Sequence, residues 1–161
     1  MSVHDFRHYR APNGVADTKS FPVTASETFV AGEPVVVAAA GTLGECGDDP
    51  SAVDGIAAHA PVNSDGSTFS VGQPVTVHGT GSDQVFITKR FATDGAGTAA
   101  TPALTSIGDL AGLTGPGTWY LDTGAGNKIC KVIGVQDAAG NNLGDPNVLP
   151  GTGVWVLFNF I

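Results

Sequence analysis

Four histidines and one acidic pair are the residues whose types could bind a metal ion. His4 and His8 are four residues apart, a spacing that would place both imidazoles on one face of a short helix. No carboxylate or cysteine set completes a metal site around them. His59 and His78 stand at the ends of strand-like segments, and the acidic pair at 48–49 lacks the pattern of an EF-hand loop. We therefore predict no bound metal ion and no cofactor.

The sharpest catalytic pattern is Tyr-Leu-Asp-Thr-Gly-Ala-Gly at 120–126. An Asp-Thr-Gly triplet after two apolar residues matches the active-site loop of aspartic proteases, in which two such carboxylates share a proton and activate water. The apolar-apolar-Gly segment that should lie far downstream follows Gly124 after only seven residues, at 132–134. Asp-Thr-Gly is also common in turns, since Asp bonds the local backbone and Gly accepts a positive φ. The pattern therefore favours a turn around Asp122.

No other motif supplies a catalytic centre. The sequence has no Gly-x-Ser-x-Gly elbow, no phosphate-binding loop and no dinucleotide fingerprint. Its serines and threonines are scattered along predicted strands and turns without a basic partner close in sequence. We therefore predict that the protein is not an enzyme, and we expect a structural or binding role.

The composition is typical of an all-β protein. Of 161 residues, 23 are glycine and 10 are proline, yet 42% are hydrophobic. Many turns between short apolar runs favour a sheet sandwich or barrel. We predict one small β-barrel or β-sandwich domain over 21–161, an extended N-terminal arm over 1–20, and at most one short helix, over 102–112.

Two further predictions concern the state of the cysteines and the position of a hairpin. We expect Cys46 and Cys130 to be free thiols, with Cys130 in the core, although the sequence leaves their pairing open. A hairpin is predicted from a strand at 118–122, a turn at 123–127 and a strand at 127–135.

Charge divides the chain into two parts. The formal net charge is −8, which argues against nucleic acid as a partner because phosphate binding needs a basic surface. Residues 1–20, however, contain three basic side chains and only two acidic ones. A weakly basic arm on an acidic body predicts docking on its neighbours or on another protein, the alternative being a frayed terminus.

The first residues lack the apolar core of a signal peptide, and no apolar run is long enough to span a membrane.

The segment at 154–161, Val-Trp-Val-Leu-Phe-Asn-Phe-Ile, is largely apolar on both alternating faces. A strand of this kind is buried on both sides, either centrally in a sheet sandwich or in a subunit contact. Trp155, Phe158 and Phe160 are therefore predicted to pack in an oligomer interface or in the core.

A repeated motif marks two strand starts. Val-Ala-Gly-Glu-Pro-Val-Val-Val at 30–37 and Ser-Val-Gly-Gln-Pro-Val-Thr-Val at 70–77 share Gly-x-Pro-Val-x-Val. Glycine supplies a turn and proline begins a strand, so we interpret the repeat as architecture and not as a pair of binding loops.

These two segments, together with Val-Asp-Gly-Ile-Ala-Ala-His-Ala at 53–60, resemble the head decoration, or cement, proteins of tailed bacteriophages. The resemblance covers about 29–80 and implies a β-barrel or β-tulip fold. It also implies a homotrimer on the outer surface of the virion capsid, assembled in the host cytoplasm, with the major capsid protein as partner. The predicted capsid contacts in the arm are Phe6, Arg7, Tyr9 and Arg10.

The alternative is a virion adhesive or carbohydrate-binding β module. Trp119 and Tyr120 are the aromatic residues that could stack on a sugar, although packing within a predicted hairpin strand explains them equally well.

Overall fold

Two β-sheets form the body of the protein in a computed structural model, which describes residues 6–11, 14–148 and 151–161. One 3₁₀ turn at Leu104–Ser106 interrupts the strands. The strands are β1 (Arg7–Arg10), β2 (Thr18–Pro22), β3 (Pro34–Val37), β4 (Leu43–Glu45), β5 (Gly55–Ala57), β6 (Pro74–Gly79), β7 (Val85–Thr88), β8 (Phe91–Ala92), β9 (Leu110–Thr114), β10 (Tyr120–Asp122), β11 (Cys130–Gln136) and β12 (Trp155–Phe160). The predicted all-β class is confirmed, as a small sandwich without a closed barrel in the described chain.

The larger sheet has seven strands in the order β1-β7-β12-β11-β9-β10-β8. Its pairs are antiparallel except for β10 and β8. The smaller sheet has five antiparallel strands in the order β2-β6-β5-β3-β4. A parallel bridge pairs Val23, which follows the edge strand β2, with Leu43 of the other edge strand, β4. The smaller sheet is therefore strongly curved.

The main core contains residues of both sheets and centres on phenylalanines. Phe158 lies 5.5 Å from Phe6 and 5.7 Å from Phe86, centroid to centroid, and Phe160 packs on both Phe86 and Phe158. Ile56 of β5 joins this cluster from the smaller sheet. The last strand, β12, lies between β11 and β7, which confirms that the terminal strand is central. Its inner face is buried, whereas Trp155 and Asn159 on the other face are only half-buried.

A second core lies on the other face of the smaller sheet. Val35, Val75 and Val77 point into it, and Phe29 of the β2–β3 connection closes it. The smaller sheet is therefore buried on both faces, since Val36 and Ile56 face the main core.

The repeated motif forms the same turn twice. Gly32 and Gly72 both have φ near +90°, a conformation that favours glycine, and Pro34 and Pro74 begin β3 and β6. The side chain between glycine and proline closes each turn by accepting a backbone N–H three residues earlier. Glu33 Oε2 accepts from the amide of Val30 at 3.1 Å, and Gln73 Oε1 accepts from that of Ser70 at 2.5 Å. Both side chains supply an acceptor oxygen, so the interpretation of the repeat as architecture holds.

The predicted helix over 102–112 is wrong. Only Leu104–Ser106 form a 3₁₀ turn, and Gly108 has φ +98°, which no α-helix accommodates. Leu110–Thr114 then forms β9, which pairs with β10 and β11. Long-range pairing overrides the local helix signal here.

The predicted hairpin over 118–135 is also wrong in its pairing. Both strands exist, as β10 and β11, but β9 lies between them in the sheet. The connection from Thr123 to Ile129 therefore crosses over β9 and does not form a tight hairpin turn.

The N-terminal segment is not a separate arm over the residues described. Arg7–Arg10 forms the edge strand β1 of the larger sheet, and Thr18–Pro22 forms the edge strand β2 of the smaller one. Their side chains are mostly exposed and polar, so they lack the alternation that marks a half-buried strand. The body of the protein therefore begins before residue 21.

Candidate functional site

The predicted arm residues and the predicted terminal-strand residues meet in the larger sheet. Strand β7 lies between β1 and β12, with Arg7 opposite Ile87 and Ile87 opposite Leu157. Residues from the two ends of the chain therefore share both faces of one sheet. Phe6 contacts Phe158 in the core, and Arg7 contacts Trp155 on the outer face.

Three of the sequence-predicted residues belong to the core. Phe6 is only 1% exposed, and its amide donates to the carbonyl of Gly32 at 3.0 Å. Phe158 and Phe160 are buried beside it. Phe6 was predicted to contact the capsid, but its ring is enclosed by the protein itself. The reason is that an aromatic ring next to a polar edge strand anchors that strand to the core.

Trp155 is the centre of the outer face. The guanidinium carbon of Arg7 lies 4.8 Å from the centroid of its ring, and the Nζ of Lys89 lies 4.4 Å from it. A cation over an indole ring is worth about 0.5–1 kcal/mol at an exposed site. One cation comes from β1, on the far side of β7, and the other follows the last residue of β7. Together they hold the half-buried ring in place.

Tyr9 and Arg10 extend this surface along β1. A bulge between His8 and Arg10 breaks the pairing with β7. The guanidinium carbon of Arg10 lies 5.9 Å from the Tyr9 ring centroid, and Gln136 Nε2 lies 3.5 Å from the Tyr9 hydroxyl. Tyr9 remains 45% exposed, so it is available to a partner.

A small apolar cluster forms the base of the outer face. Val85, Ile87 and Leu157 pack together under Trp155, separately from the main core. This cluster fixes the strands β7 and β12 beneath the charged side chains. The aromatic and basic groups are thus displayed on a rigid sheet and not on a loop.

Charge makes this surface unlike the rest of the protein. Only seven lysines and arginines occur in the chain, against fifteen acidic residues, and four of the seven lie here. Lys131 joins the surface because it is paired with Asn159, two residues beyond Leu157. None of the four strands β1, β7, β12 and β11 contains Asp or Glu. We call this surface the basic aromatic face, defined by Arg7, Tyr9, Arg10, Lys89, Lys131 and Trp155.

The sequence predicted four of these six residues, and it carried a signal for a fifth. Val85, Ile87 and Lys89 alternate along one face of a strand-like segment, and Lys89 is the residue that reaches Trp155. Lys131 was missed because its place on the face depends on the pairing of β11 with β12.

The carboxylate of Asp122 binds backbone amides of two loops. Asp122 is fully buried, and its carboxylate accepts backbone N–H groups from Gly95 at 3.1 Å, Gly97 at 3.2 Å and Gly124 at 2.7 Å, and the Thr114 hydroxyl at 3.2 Å. The turn interpretation is confirmed by the contact with Gly124. The structure adds that the same carboxylate ties the 94–97 loop to β9 and β10.

The acidic pair at 48–49 also bonds the chain itself. Asp49 Oδ1 accepts from the Asn127 amide at 3.0 Å and its Oδ2 from that of Gly126 at 3.1 Å, while Asp48 Oδ1 accepts from the amide of Gly115. No three His, Cys, Asp or Glu side chains are grouped to hold a metal ion over 6–11, 14–148 and 151–161. His4, of the predicted pair with His8, lies outside these residues.

The aromatic pair considered for sugar stacking has little free surface. Trp119 is 2% exposed and lies beneath Gly115, where an added Cβ would meet its ring at 2.5 Å. Tyr120 is half-buried, with the Arg90 guanidinium carbon 6.0 Å from its ring centroid and Gly97 against its edge. Neither ring offers a flat exposed platform.

The two cysteines are free, as expected, and Cys130 lies in the core as predicted; the structure adds that Cys46 is buried as well. Burial, with a smaller contribution from the charge of Asp54, raises the pKa of the Cys46 thiol to about 12. Burial alone raises the pKa of the Cys130 thiol. Both thiols are therefore protonated at neutral pH, and neither is an activated nucleophile.

Comparisons with protein-family models, with curated proteins and with solved structures found no match. Over the part of the chain that the structure describes, no helix is long and apolar enough to cross a membrane. Function is therefore inferred from the chain's own residues, above all from the basic aromatic face.

Proposed function

We propose that the protein is a capsid decoration protein, a structural virion protein that binds the outside of the major capsid protein lattice and stabilises the head. The observation that carries the proposal is the basic aromatic face, which is displayed on a rigid sheet of an otherwise acidic protein. The resemblance of residues 29–80 to phage cement proteins supplies the class of partner.

The residue types of the face suit protein docking. Tryptophan, tyrosine and arginine are the residues most often found at the energetic centres of protein interfaces. Trp155 and Tyr9 supply aromatic area, and Arg7 and Lys89 supply charge that is already held in position. A face of this kind complements an acidic surface on the capsid and speeds encounter with it.

The proposed assembly is a homotrimer, which would present three copies of the face at once. Multivalent attachment converts modest contacts into firm binding when geometry lets all copies engage. Size-exclusion chromatography with light scattering tests this part of the proposal, since a monomer at micromolar concentration would contradict it.

A virion adhesive or carbohydrate-binding module is the weaker candidate. Sugar recognition of the kind expected would use exposed aromatic rings, whereas Trp119 is buried and Tyr120 is flanked by Arg90 and Gly97. No specific contact favours this function over docking on a protein.

The test is the addition of purified protein to capsids stripped of decoration, followed by cryo-electron microscopy. Density on the outer surface of the lattice supports the proposal, and bare capsids would contradict it. Truncation of residues 2–14 is a poor variant for this purpose, because it removes Phe6 from the core and β1 from the sheet. Point substitutions on the face separate docking from folding.

A further inference from the structure

A pair of stacked histidines joins the two sheets next to the first strand. His8 belongs to β1 of the larger sheet, and His78 belongs to β6 of the smaller one. Their ring centroids are 5.2 Å apart and their planes are inclined by 19°. The rings border a cavity of about 250 Å³ that Phe6 and Gly32 also line.

The hydrogen bonds around the pair leave one ring nitrogen of His78 without a partner. Gln84 Oε1 accepts the amide N–H of Asp17 at 3.1 Å and the Nε2–H of His8 at 2.8 Å. His78 Nδ1 is buried and has no hydrogen-bond partner. A proton added at this nitrogen would be a buried donor without an acceptor, which is costly.

The charged groups around the pair do not offset that cost. Asp17 packs against Gly79, but its carboxylate is paired with Lys19 of β2 at 3.7 Å. Arg7 adds a further positive charge on β1. Glu33, next to the cavity-lining Gly32, accepts the amide N–H of Val30. The remaining groups packed against the pair are uncharged, namely Ile56 of β5, Phe86 of β7 and Gln84 of the β6–β7 connection; Asp83 of that connection is exposed.

We propose that His8 and His78 form an acid-sensitive latch, which holds β1 against the smaller sheet while His78 is neutral and releases it when His78 is protonated. Release of β1 would withdraw Phe6 from the core and separate Arg7 from Trp155. The inference does not depend on the proposed docking function, because it concerns the free protein.

The direction of the pH dependence follows from linkage. Burial, and then the neighbouring His8, lower the pKa of His78 below its ordinary value of 6.5. When the pKa of a histidine is lower in the native state than in the unfolded state, its full contribution to stability is present at pH values above the pKa of the unfolded state. That stabilisation is lost as the pH falls from about 6.5 through the native value. The latch is therefore closed at pH 8 and weakens below about pH 6.5.

Hydrogen exchange with mass spectrometry tests the latch on the full chain. Protection is compared between about pH 8 and about pH 5.5, after correction for the intrinsic exchange rate, because release of β1 is a local opening. We expect a several-fold loss of protection in the peptide that contains Arg7–Arg10, whereas the peptide that contains Trp155–Phe160 retains its protection.

Two variants assign the effect to the pair. His78→Phe keeps an aromatic ring against His8 and removes the titrating group, so protection of β1 should change little with pH. His59→Gln is the matched control, since His59 lies apart from the pair and bonds the Thr76 amide. It should keep the wild-type pH dependence.

Two results would overturn the inference. One is a wild-type β1 whose protection is unchanged between the two pH values. The other is an undiminished loss of protection in His78→Phe. If His78→Phe does not fold, His78→Gln is measured in the same way, and an undiminished loss there overturns the inference equally.

Discussion

The guanidinium of Arg7 lies over the ring of Trp155, with 4.8 Å between the guanidinium carbon and the ring centroid. One residue lies in the first strand and the other begins the last, so the contact links the two ends of the chain across β7. The outer face that could dock on a partner therefore forms only when the larger sheet is complete. Docking and folding are coupled through this sheet, and variants that test docking must leave the core unchanged.

Phe158 should be among the most costly core residues to truncate. Its ring contacts Phe6, Phe86 and Phe160, and its side chain is fully buried. We expect Phe158→Ala to lower the free energy of unfolding by about 3–5 kcal/mol, measured by urea denaturation. Ile161→Ala is the control, because Ile161 is 62% exposed and should change stability little. Equal effects of the two substitutions would contradict the core described above.

Asp122 should be required for the structure of the 94–97 loop. We expect Asp122→Asn to destabilise the protein by about 1–3 kcal/mol, because an amide NH₂ would replace one of the oxygens that accept N–H groups. The same variant should lose hydrogen-exchange protection at Gly95 and Gly97, whose amides bond this carboxylate. Asp83→Asn, at an exposed position, is the control. Unchanged protection in Asp122→Asn would contradict the assigned role.

The repeated turn predicts that two substitutions of Glu33 differ in their effect on stability. Glu33→Gln should be tolerated, since Gln73 performs the same task in the second copy. Glu33→Ala removes the acceptor for the Val30 amide and should cost about 1 kcal/mol in the free energy of unfolding. Thermal and urea denaturation of the two variants make the comparison. A Glu33→Gln variant as unstable as Glu33→Ala would mean that the charge, and not the acceptor oxygen, matters.

The fold class could be predicted from local sequence because its signals are local. Turn residues between short apolar runs indicate sheets, and the alternation of Val75 with Val77 and of Phe158 with Phe160 shows which face is buried. The two strand starts at Pro34 and Pro74 are equally local.

The order of the strands could not be predicted in the same way. Strand β9 contains Gly112 and lacks alternation, and it is a strand because β10 and β11 pair with it from both sides. Phe6 looked like part of a free arm because a single aromatic residue gives no periodic signal. Its burial depends on Phe158, at the other end of the chain.

The candidate site could be predicted only in part, because it too depends on strand pairing. The basic charge of the N-terminal segment singled out Arg7, Tyr9 and Arg10, whereas Trp155 was predicted to pack in an oligomer interface or in the core. Alternation placed Lys89 on one face with Val85 and Ile87, but that this face also holds Trp155 and Lys131 follows from the pairing of β12 with β7 and β11.

The central claim is that the basic aromatic face docks on a capsid surface. The most direct measurement is the occupancy of stripped capsids by wild-type protein, by the double variant Arg7→Glu with Lys89→Glu, and by Trp155→Ala, quantified by cryo-electron microscopy. Lys128→Glu, which changes charge outside the face, is the control, and circular dichroism confirms that each variant is folded. We predict wild-type occupancy for Lys128→Glu and at least about tenfold weaker binding for the other two, since loss of an interface anchor costs about 2 kcal/mol or more. Full occupancy by the folded face variants would contradict the claim.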